Sequence, residues 1–257
     1  MIDLHCHVLP GIDDGPETIQ GSVALARRAV AAGTRTLVAT PHVSRSYPND
    51  AEAIARLVEE LNARLAAEDV PLDVRPGAEI AVTHAPDLDP IQLSRLRIGG
   101  GPWLLVEPSF TQTASGLDTI VLELQRAGYR ILLAHPERCT LFHRDPLMLE
   151  SLVHTGVLTS ITAGSLVGRF GEHVRRFALR LARDGLVHNV VSDAHDHIRR
   201  PPGMAQEIEQ AGLGPLAEWL TQDVPAAILS GVDIPPRPTI DPPSVPRSRR
   251  AWWPRRN

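Results

Sequence analysis

Lysine is absent from this 257-residue chain, and all 26 basic residues are arginine. No Schiff-base lysine and no P-loop lysine can operate here. Cysteine is nearly absent as well. The two present, Cys6 and Cys139, are too few for a disulfide scaffold, and their spacing fits no zinc ribbon or finger. A cysteine-dependent phosphatase needs five residues between its nucleophile and an arginine. Cys139 has only four before Arg144, and Cys6 has no arginine nearby, so a thiolate nucleophile is not expected. There is no surplus of positive charge. The net charge is −4 with the signs mixed, which argues against nucleic acid as a partner. Nor is there an apolar run of the roughly 20 residues that a membrane span takes. The opening Met1-Ile2-Asp3-Leu4-His5 has neither the basic nor the apolar region of a secretory signal. The expectation is a cytoplasmic protein with reduced thiols and no membrane insertion.

What the chain does have is alternation. Apolar, β-branched runs at 2–8, 35–40, 72–80, 103–107, 130–135, 157–162 and 187–192 alternate with amphipathic stretches at 18–32, 51–67, 117–127, 172–183 and 204–211. Strands alternating with helices imply βαβ units and a parallel sheet. Seven such units without an internal break predict one α/β barrel over residues 1–232 rather than two domains. From Asp233 the composition changes. Residues 233–257 hold seven prolines, six arginines and two acids, so the overall charge averages an acidic barrel with a basic tail. Proline at this density removes amide donors and blocks helix and sheet alike. The tail is predicted to be extended or disordered and solvated, with Trp252 and Trp253 among its arginines as a possible docking feature.

In parallel α/β barrels the functional groups lie at the C-terminal ends of the strands, where the βα loops gather. Here the first run ends in His5-Cys6-His7 and is followed by Asp13-Asp14-Gly15. Later runs end in Thr40-Pro41-His42, Gly77-Ala78-Glu79, Val106-Glu107, Ala134-His135 and Ser192-Asp193-Ala194-His195. Six of the seven thus close on a histidine or a carboxylate. A His-x-His pair on a strand puts both imidazoles on one face. Two neutral imidazoles side by side are a poor arrangement unless a cation lies between them. The candidate ligands are His5, His7, Asp14, His42, Glu79, Glu107, His135, Asp193 and His195. Nine exceed the need of one ion, so two or three ions are expected. Imidazole mixed with carboxylate and no thiolate suits manganese, iron or zinc in hydrolytic work. Asp3, alternating with His5, is a candidate to orient an imidazole. Asp13 is assigned to the turn before Gly15. His84, His143, His154, His173, His188 and His197 are expected to stand outside the site.

These motifs together resemble the PHP (polymerase and histidinol phosphatase) superfamily, and more narrowly its bacterial capsule-biosynthesis group of manganese-dependent tyrosine-protein phosphatases. The resemblance rests on Met1–His7 with Gly11-Ile12-Asp13-Asp14-Gly15-Pro16, Ala39-Thr40-Pro41-His42, Gly77-Ala78-Glu79-Ile80, Ala134-His135-Pro136-Glu137-Arg138, residues 163–171 and Ser192-Asp193-Ala194-His195. It spans about residues 1–232. It implies a distorted seven-stranded (β/α) TIM-like barrel of the PHP fold and three metal ions, usually manganese. Carried over, His5, His7, Glu79 and Asp193 hold one ion. Glu79 bridges to a second held with Glu107 and His135, and Asp14, His42 and His195 hold the third. Arg138 and Arg200 match the family's phosphate-binding arginines. Ser160 and Thr162 stand where glutamine and asparagine are usual, Ala81 where a base is frequent, and Pro108-Ser109-Phe110 departs from an aromatic-proline order.

The activity so implied is hydrolysis of phosphotyrosine by a metal-activated hydroxide, with a bacterial tyrosine kinase as the expected protein substrate and a link to capsular or exopolysaccharide synthesis. Arg138 and Arg200 would clamp the phosphate, and His42 or His195 could protonate the leaving oxygen if not committed to metal. The alternatives are a PHP phosphatase acting on a small metabolite such as histidinol phosphate, and a non-catalytic regulator of a tyrosine kinase. The complete ligand set argues against the last.

Overall fold

The structure, a computed structural model, describes residues 1–109 and 116–239. Among these residues the strands are β1 (Ile2–Cys6), β2 (Thr36–Ala39), β3 (His42–Val43), β4 (Asp73–Pro76), β5 (Glu79–Ala81), β6 (Trp103–Glu107), β7 (Arg130–Ala134), β8 (Leu158–Thr162) and β9 (Asn189–Val191). Every strand pairing is parallel. The ladders form two sheets, β1-β2-β4 and β3-β5-β6-β7-β8-β9. This is an α/β fold with helices between its parallel strands, and its hydrogen bonding is two ladders rather than the single closed one expected.

The break has a local cause. The second apolar run passes through Thr40-Pro41 before resuming as β3, and the third passes through Pro76-Gly77-Ala78 before resuming as β5. Proline donates no hydrogen bond, so the ladder stops at each. Gly77 also lets the chain pass close to β2, since a Cβ there would lie 2.7 Å from Val38 Cγ1. Each interrupted run leaves one sheet and continues in the other. At the far side β1 returns toward β9. His7 N donates to Ala194 O (2.9 Å) and Asp193 N to His5 O (3.0 Å), around a lone parallel bridge between Cys6 and Ala194.

Strands covered on both faces read as nearly continuous apolar runs, and Leu4, Leu37, Leu105, Ile131 and Ile161 are fully buried. The helix Ala51–Ala67 buries Ile54, Val58, Leu61 and Leu65, a spacing that makes one stripe. Asp50 caps it by accepting from Ala53 N at 2.7 Å. The helices Ile19–Ala31, Leu117–Arg126, Glu172–Arg183 and Ala205–Gln210 fall where the amphipathic stretches predict them. Trp219–Asp223, a single π-helical stretch, and the helix Val224–Ser230 were not foreseen; both are short and Pro225 interrupts their pattern.

Residues 232–239 carry no regular secondary structure. They still lie against the helices: Trp219 Nε1 donates to Pro235 O (3.0 Å) and Arg237 to Ala182 O (2.7 Å). Residues 240–257, with Trp252 and Trp253, lie outside the described residues.

Asp3 is fully buried in β1. Its carboxylate accepts from His5 N (3.4 Å) and Ser192 N (3.1 Å), and Ser192 Oγ donates to it at 2.5 Å. It hydrogen-bonds to no imidazole, contrary to the orienting role expected of it; instead it ties β1 to the end of β9. Asp3→Ala would leave the buried Ser192 amide unsatisfied. A loss of about 1–3 kcal/mol is expected, read as a lower urea midpoint. An unchanged midpoint would mean that this tie is dispensable.

Candidate metal centre

The pleat and the register gather the polar residues. His5 and His7 alternate past Cys6, so both rings leave β1 on the same side. His42 pairs directly with Glu79, and Ala81 with Glu107, across neighbouring strands. His135 and Asp193 stand just past β7 and β9 with φ of 29° and 50°. Left-handed backbone at such residues costs on the order of 1–3 kcal/mol and is characteristic of functional sites. It turns the chain sharply at the strand end, which directs the side chain back over the sheet.

The nine expected ligands converge. His5 Nε2 lies 3.2 Å from His7 Nε2, 3.3 Å from Glu79 Oε1 and 3.7 Å from Asp193 Oδ1. His135 Nε2 is 2.8 Å from Glu79 Oε1 and 3.7 Å from Glu107 Oε1. His42 Nδ1 is 3.0 Å from Glu79 Oε2, and its Nε2 is 3.5 Å from Asp14 Oδ1. His195 Nε2 is 3.3 Å from that same Asp14 oxygen. Donor atoms sharing one cation at about 2.1 Å stand roughly 3.0–3.4 Å apart in octahedral or tetrahedral geometry. The separations here are of that size.

Four overlapping groups result: His5, His7 and Asp193; His5, Glu79 and His135; His42, Glu79 and Glu107; and His7, Asp14, His42 and His195. Among the described residues these groups use all nine expected residues and no others. Glu79 is common to two of them, and Glu107 stands between two imidazoles, its Oε1 3.7 Å from His135 Nε2 and its Oε2 3.9 Å from His42 Nδ1.

The electrostatics fit cations. Burial alone would raise the pKa of Glu79, but His5, His135 and His42 around it outweigh that and hold it well below the usual carboxylate range. Glu79 Oε2 is buried and makes no hydrogen bond, although His7 Nε2 and His42 Nδ1 lie 3.4 and 3.0 Å away. Asp193 is held down to about 2: burial opposes this, and His5, His135 and Arg200 prevail. Glu107 goes the other way. Burial first, and then the charge of Glu79, push it up to about 8. It needs a cation beside it to ionise at neutral pH.

Asp13 does more than make the turn. It accepts from Gly15 N (2.9 Å) and His42 N (3.1 Å), and its Oδ2 lies 2.6 Å from His7 Nδ1. A carboxylate on Nδ1 fixes the ring so that Nε2 faces the centre. The spacing of two adjacent aspartates after His-x-His was the available signal. Asp14, half-exposed, stands at the mouth.

Arg138 and Arg200 meet at one atom. Each guanidinium donates to Asp193 Oδ2 at 2.7 Å, while Asp193 Oδ1 faces the imidazoles. The ring of Phe170 lies 4.5 Å from the Arg138 guanidinium and 5.9 Å from that of Arg200. Phe170, in the quoted 163–171 motif, had no role assigned from sequence. Glu137 was also missed. It is fully buried, accepts from Thr162 N (3.0 Å) and Ser165 Oγ (2.7 Å), and is pushed by burial up to about 7. Thr162 Oγ1 donates to Asp193 (3.4 Å) and Ser160 Oγ to Asn189 (2.7 Å), so the first of these two unusual residues touches the site and the second does not. Ala81 ends β5 beside Glu107. Pro108 and Ser109 follow β6 directly, and Phe110 lies outside the described residues.

His84, His143, His154, His173, His188 and His197 join none of the groups. His143 stacks on His173 at 4.4 Å, His84 faces Asp87, and burial pushes His188 down to about 4. Cys6 and Cys139 are both buried, and burial raises both thiols, so neither is poised as a nucleophile.

A family model for capsular polysaccharide synthesis, CpsB/CapC, matches residues 1–212. The tyrosine-protein phosphatase YwqE of Bacillus subtilis is 39% identical over 197 residues, which cover 76% of this chain and 78% of YwqE. The putative tyrosine-protein phosphatase CapC of Staphylococcus aureus is 32% identical over 203 residues, 78% of this chain and 79% of CapC. A solved chain from the crystal structures of Bacillus subtilis YwqE and Streptococcus pneumoniae CpsB, described as metal-dependent tyrosine phosphatases, matches with a TM-score of 0.81. It is 34% identical, and the match covers 94% of this chain and 100% of that one. All nine converging donors and both arginines lie inside the residues the family model matches, and the chain belongs to the CpsB/CapC family of capsular polysaccharide synthesis.

Proposed function

We propose that this protein is a metal-dependent protein-tyrosine phosphatase that acts on a phosphotyrosine protein, a bacterial tyrosine kinase being the expected one, in the control of capsular or exopolysaccharide synthesis. The observation that carries this reading is Asp193, whose one oxygen faces the imidazole cluster and whose other holds two guanidiniums. A cation centre and an anion clamp therefore share a wall. We further propose that the two sheets act as a distorted seven-stranded barrel and that three ions, usually manganese with iron or zinc as alternatives, are held by the nine donors.

Divalent cations bound there would lower the pKa of a coordinated water toward about 7 and neutralise phosphoryl oxygens. The protein supplies the rest. Asp13 fixes the His7 ring, and Glu79 holds imidazoles on both of its oxygens. Arg138 and Arg200, anchored at Asp193 and lying against Phe170, present their remaining N–H groups toward non-bridging phosphate oxygens in a planar fork that a lysine could not match. Both ring nitrogens of His42 face carboxylates, and those of His195 face Asp14 Oδ1 and the Asp193 carbonyl. Neither ring has an N–H left for the leaving oxygen, so both are assigned to holding metal. A tyrosine phenol, with pKa near 10, is a better leaving group than an alcohol. With both rings committed, the easier departure of a phenol favours aryl over alkyl phosphate.

Removal of metal by a chelator should abolish hydrolysis of phosphotyrosine peptides and added manganese should restore it, while thiol alkylation leaves it intact; the reverse pattern would rule out this mechanism. Glu79→Gln should lower the metal content of the purified protein, read by elemental analysis, because Glu79 is common to two of the groups. Arg138→Ala should raise KM roughly 10-fold or more with metal content unchanged. A panel setting phosphotyrosine peptides against histidinol phosphate should favour the peptides, and preference for the metabolite would move the substrate class.

A further inference from the structure

The segment from His195 to Arg200 closes on itself. His195 N and Asp196 N donate to Arg200 O at 3.1 and 3.4 Å, and the Asp196 carboxylate accepts from the amides of Ile198, Arg199 and Arg200. Those bonds leave its tip with little freedom. Its base is at the centre, through His195 and through the Arg200 guanidinium on Asp193. The tip bears Ile198, 74% exposed, and Arg199, also exposed. Arg199 makes no ion pair among the described residues, whereas Arg138, Arg169 and Arg200 each hold a carboxylate.

A cavity of about 270 Å³ beside the phosphate clamp is lined by Arg199 and Arg200, with Phe170 and Arg169 on its other walls. A space of that volume spans on the order of 8 Å, about two residues of extended chain at roughly 3.3 Å each. An exposed guanidinium lining that cavity, without an ion-pair partner among the described residues and next to the clamp, is placed to meet an anion that arrives with the phosphate rather than the phosphate itself. We propose that Arg199 is a specificity residue that recognises a carboxylate side chain, aspartate or glutamate, one or two positions from the phosphotyrosine of a peptide substrate. This rests on the phosphotyrosine reading above. Arg199 lies outside the metal donors and outside the clamp, so its loss leaves the chemistry in place.

The test uses the manganese-loaded full chain with p-nitrophenyl phosphate and two phosphotyrosine peptides that differ only in bearing glutamate or glutamine beside the phosphotyrosine. The wild type should have a kcat/KM about 5- to 10-fold higher for the glutamate peptide, a difference that shrinks as salt rises. Arg199→Gln should remove the difference without altering p-nitrophenyl phosphate hydrolysis, and Arg199→Glu should disfavour the glutamate peptide. Equal rates on the two peptides with the wild type, or an unchanged preference in Arg199→Gln, would overturn the inference while leaving the phosphatase reading intact. Failure of the metal-loaded wild type to hydrolyse p-nitrophenyl phosphate would overturn both.

Discussion

Four carboxylates and five imidazoles cannot share a largely buried space at 3–4 Å unless positive charge is shared among them. Glu79 is the hinge of that constraint. It is nearly inaccessible, three imidazoles approach its two oxygens within 3.3 Å, and one oxygen has no hydrogen bond at all. The same crowding raises Glu107, because two carboxylates so close cannot both ionise in a low-dielectric pocket without a cation. Cations held by these groups would relieve that crowding as well as supply chemistry.

The fold serves that cluster in ways that cost it regularity. Pro41 and Pro76 interrupt the hydrogen-bond ladder, and β3 and β5 resume beyond the breaks with His42 beside Glu79. His135 and Asp193 accept a left-handed backbone just where their side chains must turn inward. Buried Asp3 holds β1 to Ser192, and so keeps the His5-His7 pair next to Asp193. In each case the compensating contact is local and polar. A donor set that must converge within a few ångströms is assembled by these joints from six separate strands, His42 and Glu79 opening β3 and β5 and the others standing at or past the ends of theirs.

Much of this could be read in the residues. Hydrophobic runs of the right length announced parallel strands, and the polar residue closing each run announced the site, because strand ends and βα loops share one rim in such folds. What escaped was of another kind. Phe170 lies far in sequence from the arginines it supports, and nothing about a phenylalanine after Gly168-Arg169 signals a cation above its ring. Asp3 has the alternation expected of an orienting carboxylate, yet its partner is a backbone amide 189 positions away. Asp13 was assigned a turn and has one, but the same carboxylate also holds His7, a second use that local pattern does not distinguish.

The amino-acid sequence by itself determined the chemistry available: no lysine, no usable thiol, imidazoles and carboxylates at strand ends, and arginine as the one side chain able to clamp phosphate. It determined this because residue identity and a two-residue strand period suffice to say what lies on the inner face. Only the tertiary structure decided how closely the donors converge, with His5, His42 and His135 all around Glu79. It also decided that Arg138 and Arg200 share one oxygen of Asp193, and that Arg199 lines a cavity next to them. Those facts depend on distances between strands distant in sequence, set by the joints between two sheets and by close approach at Gly77, and no local period encodes them.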